Sequence, residues 1–246
     1  RRKMAELGWM GLAFPDKYNG MGMTFFDLVL LLQEMGRACL PGPYLPSVVM
    51  SGLTILEAGT DGQKRQYLPA ISRGAIHTFA LTESDGRYEA ASIKTKASHG
   101  KEGYVVRGTK LFVPYAHVAD HILCLVRTGE GSSERDGLTL LMVDAGSPGI
   151  RSTILSTIAS DKQCEVELDR VKVSGESVVG EPGQGWRTVQ KTLQWAAIAK
   201  CAEMVGAAQQ VLEMSVTYAK ERVQFDRPIG SFQAVQHHCA NMLLDV

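Results

Sequence analysis

The sequence predicts an α+β fold in three consecutive parts: a helical N-terminal domain, a middle β domain of barrel or sandwich type, and an incomplete C-terminal helical bundle. Apolar residues recur with helical spacing up to residue 74 and again from residue 180, whereas they alternate in between. With 246 residues, 45% of them hydrophobic, the chain is large enough to bury cores of this kind. We therefore expect domains over residues 1–74, 75–179 and 180–246.

Capping residues mark the helices of the first part, which begins with the helical-looking stretch "RRKMAELGW". Thr24 precedes "FFDLVLLLQEMGRA", Ser47 precedes "VVMSGLTILEA" before Gly59, and Asp61 opens "GQKRQYLPAIS". Ser, Thr and Asp accept hydrogen bonds from the free N–H groups of a first helical turn, and Gly commonly ends a helix. The sequence therefore predicts a helix at each of these positions.

The middle part contains segments in which apolar and polar residues alternate, separated by turns rich in Gly, Ser and Asp. This alternation is typical of strands in a compact β domain, which we expect to end near Val179. The segments are "SIKTKAS", "GYVVRGTKLFV", "DHILCLVRT", "GLTLLMVDA" and "CEVELDRVKVS".

The last part returns to helical spacing after the hinge "GEPGQGW". A long helix is followed by a turn and by a second helix, for which Ser231 is the predicted cap, with Arg222 and Arg227 near its anion-attracting N-terminus. His237 and His238 are adjacent and point apart, so no metal site is predicted. The sequence starts and stops within helical patterns, and we expect a longer native chain or self-association to cover the apolar helix faces.

Charge and cysteine content exclude several functional classes. Lys plus Arg equals Asp plus Glu at 26 each, which argues against a nucleic-acid or anionic-membrane partner and favours a small ligand. The five cysteines are scattered and include no Cys-x-x-Cys pair, which indicates a reducing, cytoplasmic compartment, or the mitochondrial matrix in a eukaryote. The apolar run from Phe25 to Leu32 is too short to span a bilayer.

A polar loop in "ALTESDGRYEAASIKTKA" is the strongest candidate for a binding site. Its Ser, Asp and Gly are ordinary turn formers, so a solvated turn is the simplest interpretation. Two aromatic residues at neighbouring strand ends, Phe79 and Phe112, suggest instead an apolar shelf with a polar rim, which suits a planar cofactor. Packing of both rings in the core is the alternative.

Four segments occur in the order and spacing of one family: "LGWMGLAFPDKYNGMGMTFFDLVLLLQEMGRA", "ALTESDGRYEAASIKTKA", "VRGTKLFVPYAHVAD" and "ERVQFDRPIGSFQAVQH". Over essentially its whole length the chain resembles the acyl-CoA dehydrogenases. The resemblance implies a flavoprotein with FAD that removes hydrogens from Cα and Cβ of an acyl-CoA thioester and passes electrons to an electron-transfer flavoprotein. It also implies a homodimer or homotetramer.

The resemblance assigns roles to individual residues. It places Ser84 and Tyr88 beside the CoA substrate. Arg222, Phe225 and Gln233 would reach the FAD that is bound to a neighbouring subunit. The residues that would line the flavin within one subunit are Phe79, Leu81, Thr82, Phe112 and Val113.

The chain departs from the family pattern at the flavin and at the loop. Pro114 stands where the family often has a Thr whose hydroxyl bonds flavin N5, and Pro offers no donor. Arg87, Tyr88 and Glu89 replace the usual Gly-Ser-Asp, which introduces a bulky phenol. These departures bear on FAD affinity and on substrate access.

The resemblance implies no catalytic residue within the 246 residues. The base of most members is a Glu beyond Val246, and the alternative position falls near Ala196 and Ala197. Three interpretations therefore stand: part of an ordinary acyl-CoA dehydrogenase, a diverged or non-catalytic subunit of a mixed assembly, and a binding or scaffold protein that retains the fold.

Overall fold

The computed structural model describes residues 2–100, 103–129 and 133–246. Helices at both ends of the chain and a mixed central sheet confirm the predicted α+β class. By contacts the chain forms two units, one of residues 1–23 and 42–196 and the other of residues 24–41 and 197–246. The domain boundaries expected near residues 74 and 179 stay a prediction.

Two helices of the first part begin where short polar side chains cap them. Thr24 caps α2 through a reciprocal pair of bonds with Asp27, as predicted, and Thr60 does the same with Gln63 immediately before the first residue of α4. The prediction for Ser47 is wrong: it lies inside a π-helical segment, where its buried hydroxyl donates to the carbonyl of His77 at 2.8 Å. The elements are α1 (Arg2–Glu6), α2 (Phe25–Arg37), the π-helical segment Leu45–Gly52, α3 (Leu53–Ala58) and α4 (Asp61–Ser72).

The middle part is a mainly antiparallel sheet of order β6-β7-β3-β2-β4-β5-β8, with β1 added parallel to β4. Strands β2 and β4 share only the register pair Lys96 and Arg127, so this contact links two four-stranded halves. Inward-facing residues of both halves belong to one apolar cluster. The strands are β1 (His77–Ala80), β2 (Lys96–Gly100), β3 (Gly103–Pro114), β4 (His121–Arg127), β5 (Leu138–Asp144), β6 (Ile150–Ile154), β7 (Gln163–Ser174) and β8 (Val178–Val179).

The last part contains a long helix, a short hairpin and a second helix. Ser231 does not cap the second helix: it lies in a 3-10 turn and donates its hydroxyl to the carbonyl of Pro228 at 2.8 Å, and the helix starts two residues later. No helix in the described ranges has both the length and the apolarity to cross a membrane. The elements are α5 (Gly185–Glu221), β9 (Val223–Gln224), β10 (Arg227–Pro228) and α6 (Gln233–Asp245).

Within the second unit, α2 and α5 touch backbone to backbone. A Cβ added to Gly206 would lie 1.8 Å from the carbonyl oxygen of Gln33, and one added to Gly36 would lie 2.0 Å from that of Glu203. Close approach of this kind needs a residue without a side chain. The two glycines therefore set how near the helices can pack.

Candidate functional site

Two strand ends form the platform of the candidate site. The N–H of Leu111 donates to the carbonyl of Thr82 at 2.9 Å, and the Thr82 hydroxyl donates to the Leu111 carbonyl at 2.5 Å. Further along, the Thr78 hydroxyl donates to the carbonyl of Pro114. The end of β1 and the end of β3, which sequence analysis placed beside a planar ring, therefore lie side by side.

A β-bulge turns Phe112 outward. Lys110 pairs with Val166 and Val113 with Cys164, so Leu111 and Phe112 together oppose one residue of β7. Phe112 has a φ of 55° and is 50% exposed, whereas Val113 returns to the buried core. Left-handed backbone is uncommon for a bulky residue and is found mainly where the surroundings enforce it.

The β1 end supplies two backbone donors for which the described residues provide no acceptor. Phe79 is buried in the core, so of the two aromatic residues expected to form a shelf only Phe112 exposes its ring. Leu81 and Thr82 are also buried, yet within the described ranges their backbone N–H groups have no acceptor. Because buried backbone N–H groups are nearly always paired, these two point to a ligand that carries acceptors.

A buried ion pair that was not predicted from the sequence lies against this platform. The Lys110 ammonium is completely buried and lies 2.7 Å from Oε1 of Glu83 and 3.1 Å from the carbonyl oxygen of Leu81. Glu83 also accepts hydrogen bonds from the backbone N–H groups of Lys94 and Thr95. Burial alone raises the pKa of Glu83, but the Lys110 charge and these donors outweigh it and hold the pKa below its usual range.

The alternation of β3 contained a signal for this pair. Tyr104, Val106 and Lys110 occupy positions of the same parity and all three are buried. A Lys on the inward face of a strand is almost always paired, so Lys110 indicates a buried carboxylate nearby.

The loop that follows Glu83 is a solvated turn. Asp85 accepts from the N–H of Arg87 at 3.2 Å, and a hydrogen bond from Ser92 is the main cause that lowers the pKa of Asp85. The two residues assigned to substrate, Ser84 and Tyr88, are exposed, Tyr88 by 60%. Both side chains are therefore free to meet a ligand, and their substrate role stays a prediction.

The three residues assigned to a neighbouring flavin lie in the second unit. Arg222 follows α5, Gln233 opens α6, and Phe225 is 86% exposed at the tip of the β9–β10 hairpin. Phe225 and Asp226 have φ values of 54° and 62°, which is the backbone of a tight two-residue hairpin turn. The turn thus presents an aromatic ring to the outside.

Three domains of one enzyme family match the chain in order. They are described as the N-terminal domain of acyl-CoA dehydrogenase over residues 1–75, the middle domain over residues 78–171 and the C-terminal domain over residues 183–246. The chain belongs to the acyl-CoA dehydrogenase family. The homologous acyl-CoA dehydrogenases are FAD-dependent flavoproteins and oxidoreductases.

Curated relatives cover the whole chain. A probable acyl-CoA dehydrogenase, YngJ of Bacillus subtilis, is 32% identical over 253 residues, which is 100% of this chain and 66% of the relative. A 3-(aryl)acrylate reductase of Clostridium sporogenes is 34% identical over 251 residues, which is 98% of this chain and 65% of the relative. The chain thus spans just under two thirds of the length of these two relatives.

Solved structures have the same fold. Butyryl-CoA dehydrogenase from Megasphaera elsdenii matches with a TM-score of 0.92 and 27% identity, covering 99% of this chain and 66% of that one. A structure described as the electron transferring flavoprotein of Acidaminococcus fermentans matches with a TM-score of 0.92 and 28% identity. The match covers 99% of this chain and 65% of that one. The ChsE4-ChsE5 complex from Mycobacterium tuberculosis matches with a TM-score of 0.87 and 29% identity. The match covers 99% of this chain and 63% of that one.

Proposed function

We propose that this acyl-CoA dehydrogenase chain binds FAD on the platform of β1 and β3 and takes part in oxidation and reduction between Cα and Cβ of an acyl-CoA thioester. The observation that carries the proposal is the pair of N–H groups on the buried residues Leu81 and Thr82, which have no acceptor in the described part of the chain, beside the half-exposed ring of Phe112. Aromatic face and polar donors together fit the planar, acceptor-edged ring of a flavin.

Each platform residue has a defined part in holding the cofactor. The N–H groups of Leu81 and Thr82 would donate to acceptors on the ring edge. The Thr82 hydroxyl proton is not available for this, because it already bonds the carbonyl of Leu111. Phe112 would pack against the ring, with Val113 beneath it in the core. When bound, FAD supplies the acceptor for the hydride that leaves Cβ during dehydrogenation.

The platform offers no general base. Both carboxylate oxygens of Glu83 accept hydrogen bonds from Lys110 or from backbone N–H groups, and its lowered pKa makes it a poor proton acceptor. Asp85 lies in the solvated turn and also has a lowered pKa. The proposal therefore assigns binding and orientation to this part of the chain and assigns the removal of the α proton to none of its residues.

The proposal extends to partners by likeness to the family. Arg222, Phe225 and Gln233 would serve the FAD of a second copy of the chain, which makes a homodimer or homotetramer the expected assembly. The exposed hairpin tip at Phe225 supports this, because an outward ring on a rigid turn is suited to insertion into a neighbour. An electron-transfer flavoprotein is the proposed electron acceptor.

Replacing Pro114 with Thr tests the proposal at the flavin. The new hydroxyl and N–H add donors at the bulged end of β3, and one hydrogen bond of this kind contributes about 0.5 to 1.5 kcal/mol. We expect FAD to bind up to about tenfold more tightly, with a shifted flavin absorbance spectrum, measured by titration of the apoprotein. Ile158→Thr is the matched control, since this fully exposed residue lies in the turn between β6 and β7. Failure of the parent and both variants to bind FAD would contradict the flavoenzyme proposal.

A second candidate is a diverged subunit that lends part of a flavin site to a mixed assembly. Pro114 has no donor, and the exposed Tyr88 stands where a small residue is usual in the family. The likeness to a solved two-protein complex is consistent with this reading. Addition of a panel of acyl-CoAs to the FAD-loaded full-length parent and its Tyr88→Ser variant separates the candidates: bleaching of the flavin favours the dehydrogenase, and bound but unbleached FAD in both favours the diverged subunit.

A further inference from the structure

We propose that Lys110 and Glu83 are a positioning pair that aims the N–H of Thr82 at the flavin. The inference rests on the proposed binding of FAD and concerns residues that do not themselves touch the ring. Its starting point is the contact between the Lys110 ammonium and the carbonyl oxygen of Leu81, 3.1 Å apart and fully buried.

Peptide geometry carries the effect from Lys110 to the flavin edge. The carbonyl of Leu81 and the N–H of Thr82 belong to one planar, trans peptide group and point in opposite directions. When Lys110 holds that carbonyl on one side, the N–H of Thr82 is fixed on the other side. The next carbonyl, that of Thr82, is held by the N–H of Leu111, so the residue is anchored at both of its peptide groups.

The charge of Lys110 adds to this geometric role. A cation that donates to a carbonyl polarises the whole amide, which makes the N–H of the same peptide group a stronger donor. The donor thus strengthened is the buried N–H of Thr82, which has no acceptor within the described ranges. Lys110 therefore both orients and strengthens the hydrogen bond offered to the cofactor.

Glu83 holds Lys110 in place. An unpaired charge is costly to bury, and the Glu83 carboxylate 2.7 Å from the Lys110 ammonium compensates that cost. Glu83 is itself fixed by the N–H groups of Lys94 and Thr95, which lie on the far side of the polar loop. The loop is thus closed by the same carboxylate that holds Lys110.

The competing explanation is that the Lys110–Glu83 ion pair only stabilises the fold. A single and a double variant distinguish this from a positioning role. Removal of one partner leaves a buried charge unpaired and lowers stability in either case. Removal of both charges in Glu83→Gln/Lys110→Met recovers much of that stability, because two neutral side chains of similar size need no ion pair. The double variant still lacks the donor that holds the Leu81 carbonyl.

The experiment measures FAD affinity, flavin absorbance and thermal midpoint in the full-length protein, and hydrogen exchange of the Thr82 amide in the apoprotein. For Lys110→Met we expect FAD binding about tenfold to a hundredfold weaker, by analogy with residues that orient metal ligands. The double variant should regain most of the thermal midpoint but not the affinity. Its Thr82 amide should exchange faster than in the parent. Arg107→Met is the control, since it removes an exposed ion pair with Asp169 from the same strand and should leave FAD affinity unchanged.

The outcomes separate this inference from the proposed function. A parent protein that binds no FAD overturns both. A parent that binds FAD, together with a double variant that regains affinity along with thermal midpoint, overturns the positioning role and leaves the proposed function standing. Weak binding by a thermally recovered double variant supports both.

Discussion

Substitution of Gly206 by Ala is expected to destabilise the unit formed by residues 24–41 and 197–246 by about 3 kcal/mol, the upper end of the range for overpacking. The added Cβ would lie 1.8 Å from the carbonyl oxygen of Gln33 and 2.9 Å from the N–H nitrogen of Arg37. Both are backbone atoms of α2, so no side-chain rotation relieves the clash. Either α2 or α5 must shift as a whole.

A shift of α2 also weakens contacts beyond the glycine. Arg37 at the end of α2 forms a two-pronged ion pair with Glu213 of α5, one branch of which measures 2.8 Å. This bond, with a second from Gln209, holds the pKa of Glu213 at about 2. A displaced helix loses the two-pronged geometry, which is the part of such a pair that gives orientation.

Gly62→Ala is the matched control for Gly206→Ala. Gly62 is exposed within α4, and an added Cβ would meet nothing nearer than the Thr60 hydroxyl at 3.8 Å. Ala in such a position stabilises a helix by about 0.5 to 1 kcal/mol relative to Gly. Urea denaturation followed by circular dichroism gives both free energies of unfolding. Equal stability of parent and Gly206→Ala would refute the backbone contact between α2 and α5.

The fold could be predicted from the sequence wherever local patterns decide it. Thr24 caps a helix because its hydroxyl is followed, three residues on, by a carboxylate that completes the capping box. The prediction failed at Ser47 and Ser231, which have the right residue type. Their hydroxyls instead find carbonyl acceptors, on His77 and Pro228 respectively. The competitor of Ser231 is local, but His77 lies thirty residues from Ser47 and both donates to its hydroxyl and accepts from it, which no local pattern reveals.

The candidate site was predictable in outline only. Likeness to the family selected Leu81, Thr82 and Phe112, and the structure brings their two segments together by direct hydrogen bonds. The sequence did not reveal the left-handed backbone of Phe112, because a bulge depends on how β3 pairs with β7 some fifty residues later. It also did not reveal the partner of Lys110, because an inward Lys shows that a carboxylate is needed but not which one.

Acidification is expected to lower the stability of the folded chain through His77, the second large predicted effect. Between pH 7 and pH 4 the parent is expected to lose about 3 kcal/mol more stability than His77→Phe. The His77 ring is fully buried, and within the described ranges neither of its nitrogens has a hydrogen-bond partner. Its neighbours are the ring of His121 at 4.8 Å on the parallel strand β4 and the ring of Tyr67 at 5.5 Å on α4.

Burial, together with the smaller effect of the neighbouring His121, lowers the pKa of His77 to about 3. The pKa of His121 is also lowered by burial, with Asp144 and Asp120 opposing the shift in part. The unfolded chain binds a proton near the ordinary His pKa of about 6.5, well above the folded value. The stabilising contribution is therefore fully present above pH 6.5 and is lost as the pH falls towards 3, by about 1.4 kcal/mol per pH unit.

Urea denaturation of parent, His77→Phe and His99→Phe over this pH range tests the expectation. Phenylalanine keeps an aromatic ring among Tyr67 and His121 but cannot take up a proton, so its curve should be flatter than that of the parent. His99, exposed on β2, gives a control with the same replacement of imidazole by phenyl outside the core. Because carboxylates titrate in all three proteins, only the difference between curves reports on His77. Parallel curves for parent and His77→Phe would show that His77 takes up its proton at the same pH in the folded and unfolded chains, contrary to the linkage argued from its burial.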